Sequence, residues 1–300
     1  LFFSLGLNTI MAVFTTDFFS SFESAFDVTE STVYETPIEN GPMDNRIALV
    51  SVEGTILDVG SGSLWEEVQY DHQGFMAQLD SILNDDTVKG VVLEVNSPGG
   101  GVIESAEIHE KLVQIKEQRE IPIYVSMGTY AASGGYYIAA PADKIFAQKE
   151  TITGSIGVIM QAINYEELAE KVGIKFETIK SGQHKDMFGG SRASTEEERA
   201  MLQEIIDESY EDFVDVIEQG RGMTEAEVKA VADGRILGGT QAVRAGLVDD
   251  IGKLDDTITA LRTDFGLENA QLFEYTTTND SFGSLLGIKV SSLFGPSQEE

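Results

Sequence analysis

SMGTYAASGGYYIAAPADKIFAQKETITGSIGVIM, residues 126–160, is the stretch that decides how this chain folds. Ser133 stands among small residues, Ala131, Ala132, Gly134 and Gly135, just before the apolar run Tyr136-Tyr137-Ile138-Ala139-Ala140. Small neighbours let another backbone come close to a hydroxyl. The run YYIAAPAD predicts one or two helical turns that stop ahead of Pro141, because a residue before proline is pushed out of the helical region. Ser133 then falls near a helix N-terminus, where developing negative charge is favoured. The same letters describe an ordinary N-cap serine in a glycine turn, and the segment alone favours that plainer role.

Working outward, residues 121–126 (IPIYVS) predict a strand leading into the serine turn. Before it, residues 88–95 (VKGVVLEV) form a short, nearly continuous apolar run, as in a strand covered on both faces. That run leads straight into Asn96-Ser97-Pro98-Gly99-Gly100-Gly101, and a helix is expected over about 105–118. Residues 46–56 (RIALVSVEGTI) predict a further strand, and 64–84 a helix with an interruption near Gly74. Downstream, 144–147, 157–160 and 176–180 are strand candidates, and 165–172 a short helix closed by Gly173. Thr195 with Glu198, and Thr224 with Glu227, have capping-box spacing and open two more helices. Short helices are expected at 241–245 and 251–265. Strands alternating with helices predict a parallel α/β fold, whose ligands bind at the carboxyl ends of strands. Gly99, Gly100 and Ser133 all fall at such ends.

Composition narrows the chemistry. The 300 residues include no cysteine, so disulfides, thiolate metal sites and a cysteine nucleophile are excluded. With three histidines in all, a histidine-rich metal centre is not expected, and neither metal nor cofactor is called for. Twenty Lys and Arg against 51 Asp and Glu leave a net charge of −31, which repels phosphate backbones and makes nucleic acid a poor partner. The opening LFFSLGLNTIMAVF carries no charge but is shorter than the roughly 20 residues that span a bilayer. Two readings compete for it, the outer end of a membrane anchor whose start is missing and an amphipathic segment packed on the protein; its lack of charge favours the anchor, which is the expectation. The expected division is an apolar segment and spacer at 1–45, a catalytic domain at 46–265 and a tail at 266–300.

A serine nucleophile needs a base. His72 lies in an acidic stretch and His109 among Glu104, Glu107 and Glu110, so both are expected in solvent. His184 has no acidic partner that marks it as a triad member. Lysine is the alternative, provided that desolvation disfavours its charged form by perhaps 2–3 pK units. Lys180 ends a predicted strand and Lys185 follows the turn Ser181-Gly182-Gln183-His184; composition does not choose between them. The Gly99-Gly100 amides suit an oxyanion hole, whose donors each lower a barrier by about 3 kcal/mol, or equally a simple proline-glycine turn.

Five motifs in order, NSPGGGV (96–102), YAASGGYYIA (130–139), TGSIGV (153–158), SGQHK (181–185) and ADGRILGGTQAVRAGLVD (232–249), resemble the short bacterial form of the signal peptide peptidase A family. The resemblance runs from about 46 to 262. It implies a crotonase-like α/β fold built from repeated ββα units, related to the caseinolytic protease subunit. It implies a Ser/Lys dyad with Ser133 as nucleophile and Lys185 as general base, Gly100 with Gly99 at the oxyanion hole, and Ser155 orienting the lysine. It also implies hydrophobic peptide substrates such as signal-peptide remnants, a homo-oligomeric ring in which the dyad forms within or between protomers, and a catalytic domain outside the cytoplasmic membrane. Two alternatives share the fold: an enzyme acting on acyl-coenzyme A, and a scaffold without catalysis.

Overall fold

The computed structural model describes residues 32–58 and 70–278. The apolar opening segment and the last 22 residues therefore lie outside the described residues. The strands are β1 (Thr32–Glu39), β2 (Arg46–Glu53), β3 (Val88–Ser97), β4 (Ile123–Ala132), β5 (Lys144–Ala147), β6 (Ile152–Gly154), β7 (Ile236–Gly238), β8 (Asp250–Ile251) and β9 (Gln271–Thr278). The helices are α1 (His72–Asn84), α2 (Val102–Arg119), α3 (Gly134–Ala139), α4 (Glu166–Lys171), α5 (Glu196–Arg221), α6 (Glu225–Lys229), α7 (Gly239–Arg244) and α8 (Leu254–Phe265).

One mixed α/β sheet organises them, in the order β1-β9-β2-β3-β4-β5-β8, with β6 added beyond the end of β5's pairing on β4 and β7 paired to β6. From β9 through β8 the strands are parallel, and β1 runs antiparallel against β9. The apolar runs of β2, β3 and β4 are buried on both faces because each face meets its own layer. Val91, Leu93 and Val95 point into the larger core with Leu79 of α1 and Ile108 and Leu112 of α2. Val92 and Tyr124 point the other way, against Ile258 and Leu261 of α8. This is the two-sided covering that a continuous apolar strand predicts.

The sheet takes in more of the chain than 46–265. Strand β1, from the expected spacer, and β9, from the expected tail, close one edge. Arg46 fastens them: its guanidinium bonds Glu35 of β1 at 2.6 Å and Asp85 after α1, and lies 4.3 Å above the Phe273 ring of β9. Helix α1 begins at His72 with Asp71 as its cap, and Gly74 sits inside it rather than breaking it; residues 64–69 of the expected helix lie outside the described residues. The expected strands at 157–160 and 176–180 do not form. A strand needs a hydrogen-bonding neighbour, and the segment from 158 to 180 is mostly exposed. Strand β6 forms instead at 152–154, where the end of β4 gives it a partner.

Candidate active site

Parallel strands β3, β4 and β6 deliver their carboxyl ends to one rim. From β3 comes the Ser97–Gly101 turn, from β4 Ser133, and from β6 Gly154 and Ser155. The turn is shaped by a single bridge. Ile56 donates its N–H to the Gly99 carbonyl at 3.0 Å and accepts from the Gly101 N–H at 2.7 Å. Between these two bonds the Gly100 N–H is left unused by the bridge.

Ser133 holds the N-cap position of α3, yet its side chain makes no capping bond. Its backbone lies at φ 53°, ψ −122°, a conformation that costs a non-glycine residue about 1–3 kcal/mol. Neighbours over-determine it. The Ser133 N–H donates to the Gly154 carbonyl at 2.8 Å, and its carbonyl accepts from Tyr136 and Tyr137 at 2.9 Å each. A plain cap needs no such strain and would use its hydroxyl, so the N-cap role does not account for this serine. The hydroxyl is left facing the groove.

The glycines around it are set by space. A Cβ on Gly99, which has φ +102°, would stand 2.7 Å from the Gly134 nitrogen and 2.8 Å from Ser133 Cβ. A Cβ on Gly134 would stand 3.1 Å from the Gly100 nitrogen. The Gly100 and Gly134 backbones therefore pack closely beside Ser133, and Gly134, first in its helix, has no acceptor within it. Gly99 takes a different part from that expected: its N–H already donates to Ser97 Oγ at 3.1 Å, so its contribution is the turn itself. The sequence reading passed over Gly134 as a donor. The signal was present, since the residue after a serine at a helix start always brings a spare N–H.

Gly100, Ser133, Gly134 and Ser155 line one groove of about 500 Å³. Ser155, at φ 51°, donates its N–H to the Arg235 carbonyl at 2.8 Å. Apolar walls come from Val102, Ile156 and Val158 on one side and Ile206, Tyr210 and Phe213 of α5 on the other. Tyr137 packs against Phe213 with tilted rings whose centroids are 4.9 Å apart and meets His109 edge-on at 5.3 Å.

The histidines depart from expectation. His72 is 3% exposed, its ring held between Tyr70 Oη at 2.9 Å and Glu107 at 2.7 Å. Its polar sequence neighbours face outward while α2 covers the ring. Packing likewise half-buries His109 and lowers its pKa. Neither lines the groove. Lys180 is committed as a donor to Asp186 at 2.6 Å and to the Gln183 carbonyl at 2.8 Å. Lys185 lies exposed on the turn after Gly182, with no side-chain hydrogen bond or ion pair among the described residues, and is not part of its own chain's groove wall.

A strained serine beside two glycines, in a groove with apolar walls, is an arrangement that acyl transfer can use. Peptidase family S49 matches over residues 115–268, and the chain belongs to that family and is a serine-type peptidase. It is 46% identical to a putative signal peptide peptidase SppA of Enterococcus faecium, over 88% of this chain and 76% of that protein. It is 38% identical to a putative protease of Methanocaldococcus jannaschii, over 71% of this chain and 68% of the relative. Against Protease 4 of Haemophilus influenzae the identity is 32% over 74% of this chain, which covers 35% of that longer protein.

Proposed function

We propose that the chain is an endopeptidase subunit that uses a Ser133/Lys185 dyad assembled between neighbouring copies to cleave hydrophobic peptides, remnant signal peptides among them. The observation that carries this is the uncapped, strained Ser133 lining one groove with Gly100 and Gly134. In the reaction Ser133 Oγ attacks the scissile carbonyl and gives its proton to the Lys185 amine. The carbonyl oxygen takes the negative charge against the two N–H donors. Collapse breaks the C–N bond, and the lysine returns the proton to the leaving amine. Water then attacks the acyl-serine by the same route and regenerates the hydroxyl. Ser155 orients the lysine.

A lysine acts as base only where water is kept from it. Lys185 is exposed in a single chain, so the neighbour's groove must supply the dry surroundings. The segment that carries it supports this. Ile159 is 87% exposed, Ile163 80% and Ile179 95%, with Leu168, Val172 and Phe176 also in the open. An apolar surface of this extent marks a contact with another protein, and a second copy places Lys185 at a second Ser133. Repeated around an axis, the contact gives a ring. We assign the sheet and its helices to the crotonase-like type, and the opening apolar segment to a membrane anchor that holds the ring outside the cytoplasmic membrane. Among the described residues no helix is long and apolar enough to cross a membrane, so the anchor depends on the opening segment.

The test is intact-mass spectrometry after fluorophosphonate treatment. An adduct on Ser133 that disappears in Lys185→Ala, with fold and assembly retained, is expected. Undiminished labelling in that variant would remove Lys185 as the base, and no adduct in assembled wild-type protein would remove the dyad.

A further inference from the structure

The turn that presents Lys185 is held on both sides by ionic contacts. Lys180 and Asp186 close it with a 2.6 Å ion pair. Arg192 then grips Asp186 with Nη2 at 2.6 Å and Nε at 3.1 Å, and grips Glu198 with Nη1 at 2.8 Å and Nη2 at 2.6 Å. Glu198 is buried to 1% exposure and is the third residue of α5, where it accepts from the Thr195 N–H at 2.9 Å in a capping box. The far half of α5 is seated in the core through Phe213, Val214 and Ile217. Two residues beyond Asp186, Phe188 is held at φ 62°, a strain that persists only where surroundings impose it. Among the described residues Lys185 alone in this turn has a charged side chain without a partner.

We infer that Arg192 is a positioning residue for the Lys185 base: it locks the turn 180–186 to the rigid start of α5, so that an otherwise exposed loop delivers the lysine amine to a neighbouring serine at fixed reach. This builds on the intersubunit dyad proposed above. A guanidinium suits the clamp because its rigid fork presents two N–H donors to each of the two carboxylates, which an ammonium does not match. Arg192 also holds the Glu198 carboxyl down at about 2 and the Asp186 carboxyl well below its usual range, with Lys180 adding to the latter. Both carboxyls of the clamp are therefore ionised near neutral pH.

The experiment compares wild type, Arg192→Gln, Arg192→Lys and Lys185→Ala as full chains. It measures kcat and KM on a fluorogenic peptide with an apolar residue before the scissile bond, the pH profile of kcat, and assembly by sedimentation velocity. Arg192→Gln is expected to assemble with KM unchanged and kcat lower by on the order of 10²-fold, the penalty of roughly 1 Å of misplacement. The rising limb of its pH profile should move to higher pH, because a wandering lysine is better solvated; Arg192→Lys should restore part of the loss. Wild-type kcat and pH profile in assembled Arg192→Gln, with Lys185→Ala inactive, would overturn the inference and leave the dyad standing. Wild-type turnover in Lys185→Ala would instead overturn the dyad. If Arg192→Gln does not assemble, Asp186→Asn carries the same comparison: the same drop in kcat and shifted limb support the clamp, and an unchanged profile overturns it.

Discussion

Replacing Gly100 with alanine tests the oxyanion site through a single added carbon. The Gly100 backbone does not lie at positive φ, so alanine is tolerated conformationally and only space opposes it. Its Cβ would stand 1.9 Å from the Ile56 carbonyl oxygen, 2.5 Å from the carbonyl carbon and 2.7 Å from the Ile56 nitrogen. Ordinary contact between heavy atoms begins near 3.5 Å, so the two backbones must part by about 1.5 Å. The Ile56 bonds to Gly99 and Gly101 are then lost or lengthened, at about 0.5–1.5 kcal/mol each. A protein of this size survives that. Catalysis should not, because the Gly100 N–H moves with its backbone. Loss of one oxyanion donor costs about 10²–10³ in kcat. Steady-state kinetics on an apolar fluorogenic peptide should show that drop with a smaller change in KM. Thermal melting and sedimentation would confirm that the fold and assembly persist. Wild-type kcat in Gly100→Ala would refute both the position of the donor and the role of the Ile56 bridge in holding it.

Two further outcomes follow from the geometry. Ser133→Gly should abolish fluorophosphonate labelling yet raise stability by about 1 kcal/mol, because glycine relieves the strain at φ 53°; a lower melting temperature in calorimetry would contradict the claim that the serine is held there against its preference. Acid should release the Lys185 turn late. Both clamp carboxyls titrate below their unfolded values, so their contribution is complete above about pH 4.5 and is lost as pH falls, through about 2 for Glu198; protection from hydrogen exchange across residues 180–198, taken relative to the intrinsic rate at each pH, should hold at pH 5 and fall only below about 4, and protection already lost at pH 5 would argue against the clamp.

Local pattern determined much of this molecule. The apolar runs of β2, β3 and β4, the glycine turns at their ends and the capping boxes at Thr195 and Thr224 depend on neighbours within a few residues. That was enough to define an α/β sheet and to put Ser133 and Gly100 on one rim. The five ordered glycine motifs marked the family as well. What needed the tertiary structure was everything settled by partners distant in sequence. Strands β1 and β9 enter the sheet because β9 lies between β1 and β2, pairings that no local periodicity encodes. His72 is buried because α2, 30 residues on, covers it. That Lys180 is tied to Asp186 while Lys185 has no side-chain partner among the described residues is likewise visible only in the folded chain. The spare N–H of Gly134 was legible in the sequence, but its closeness to Gly100 depends on a turn bridged to Ile56 that no side-chain pattern announces.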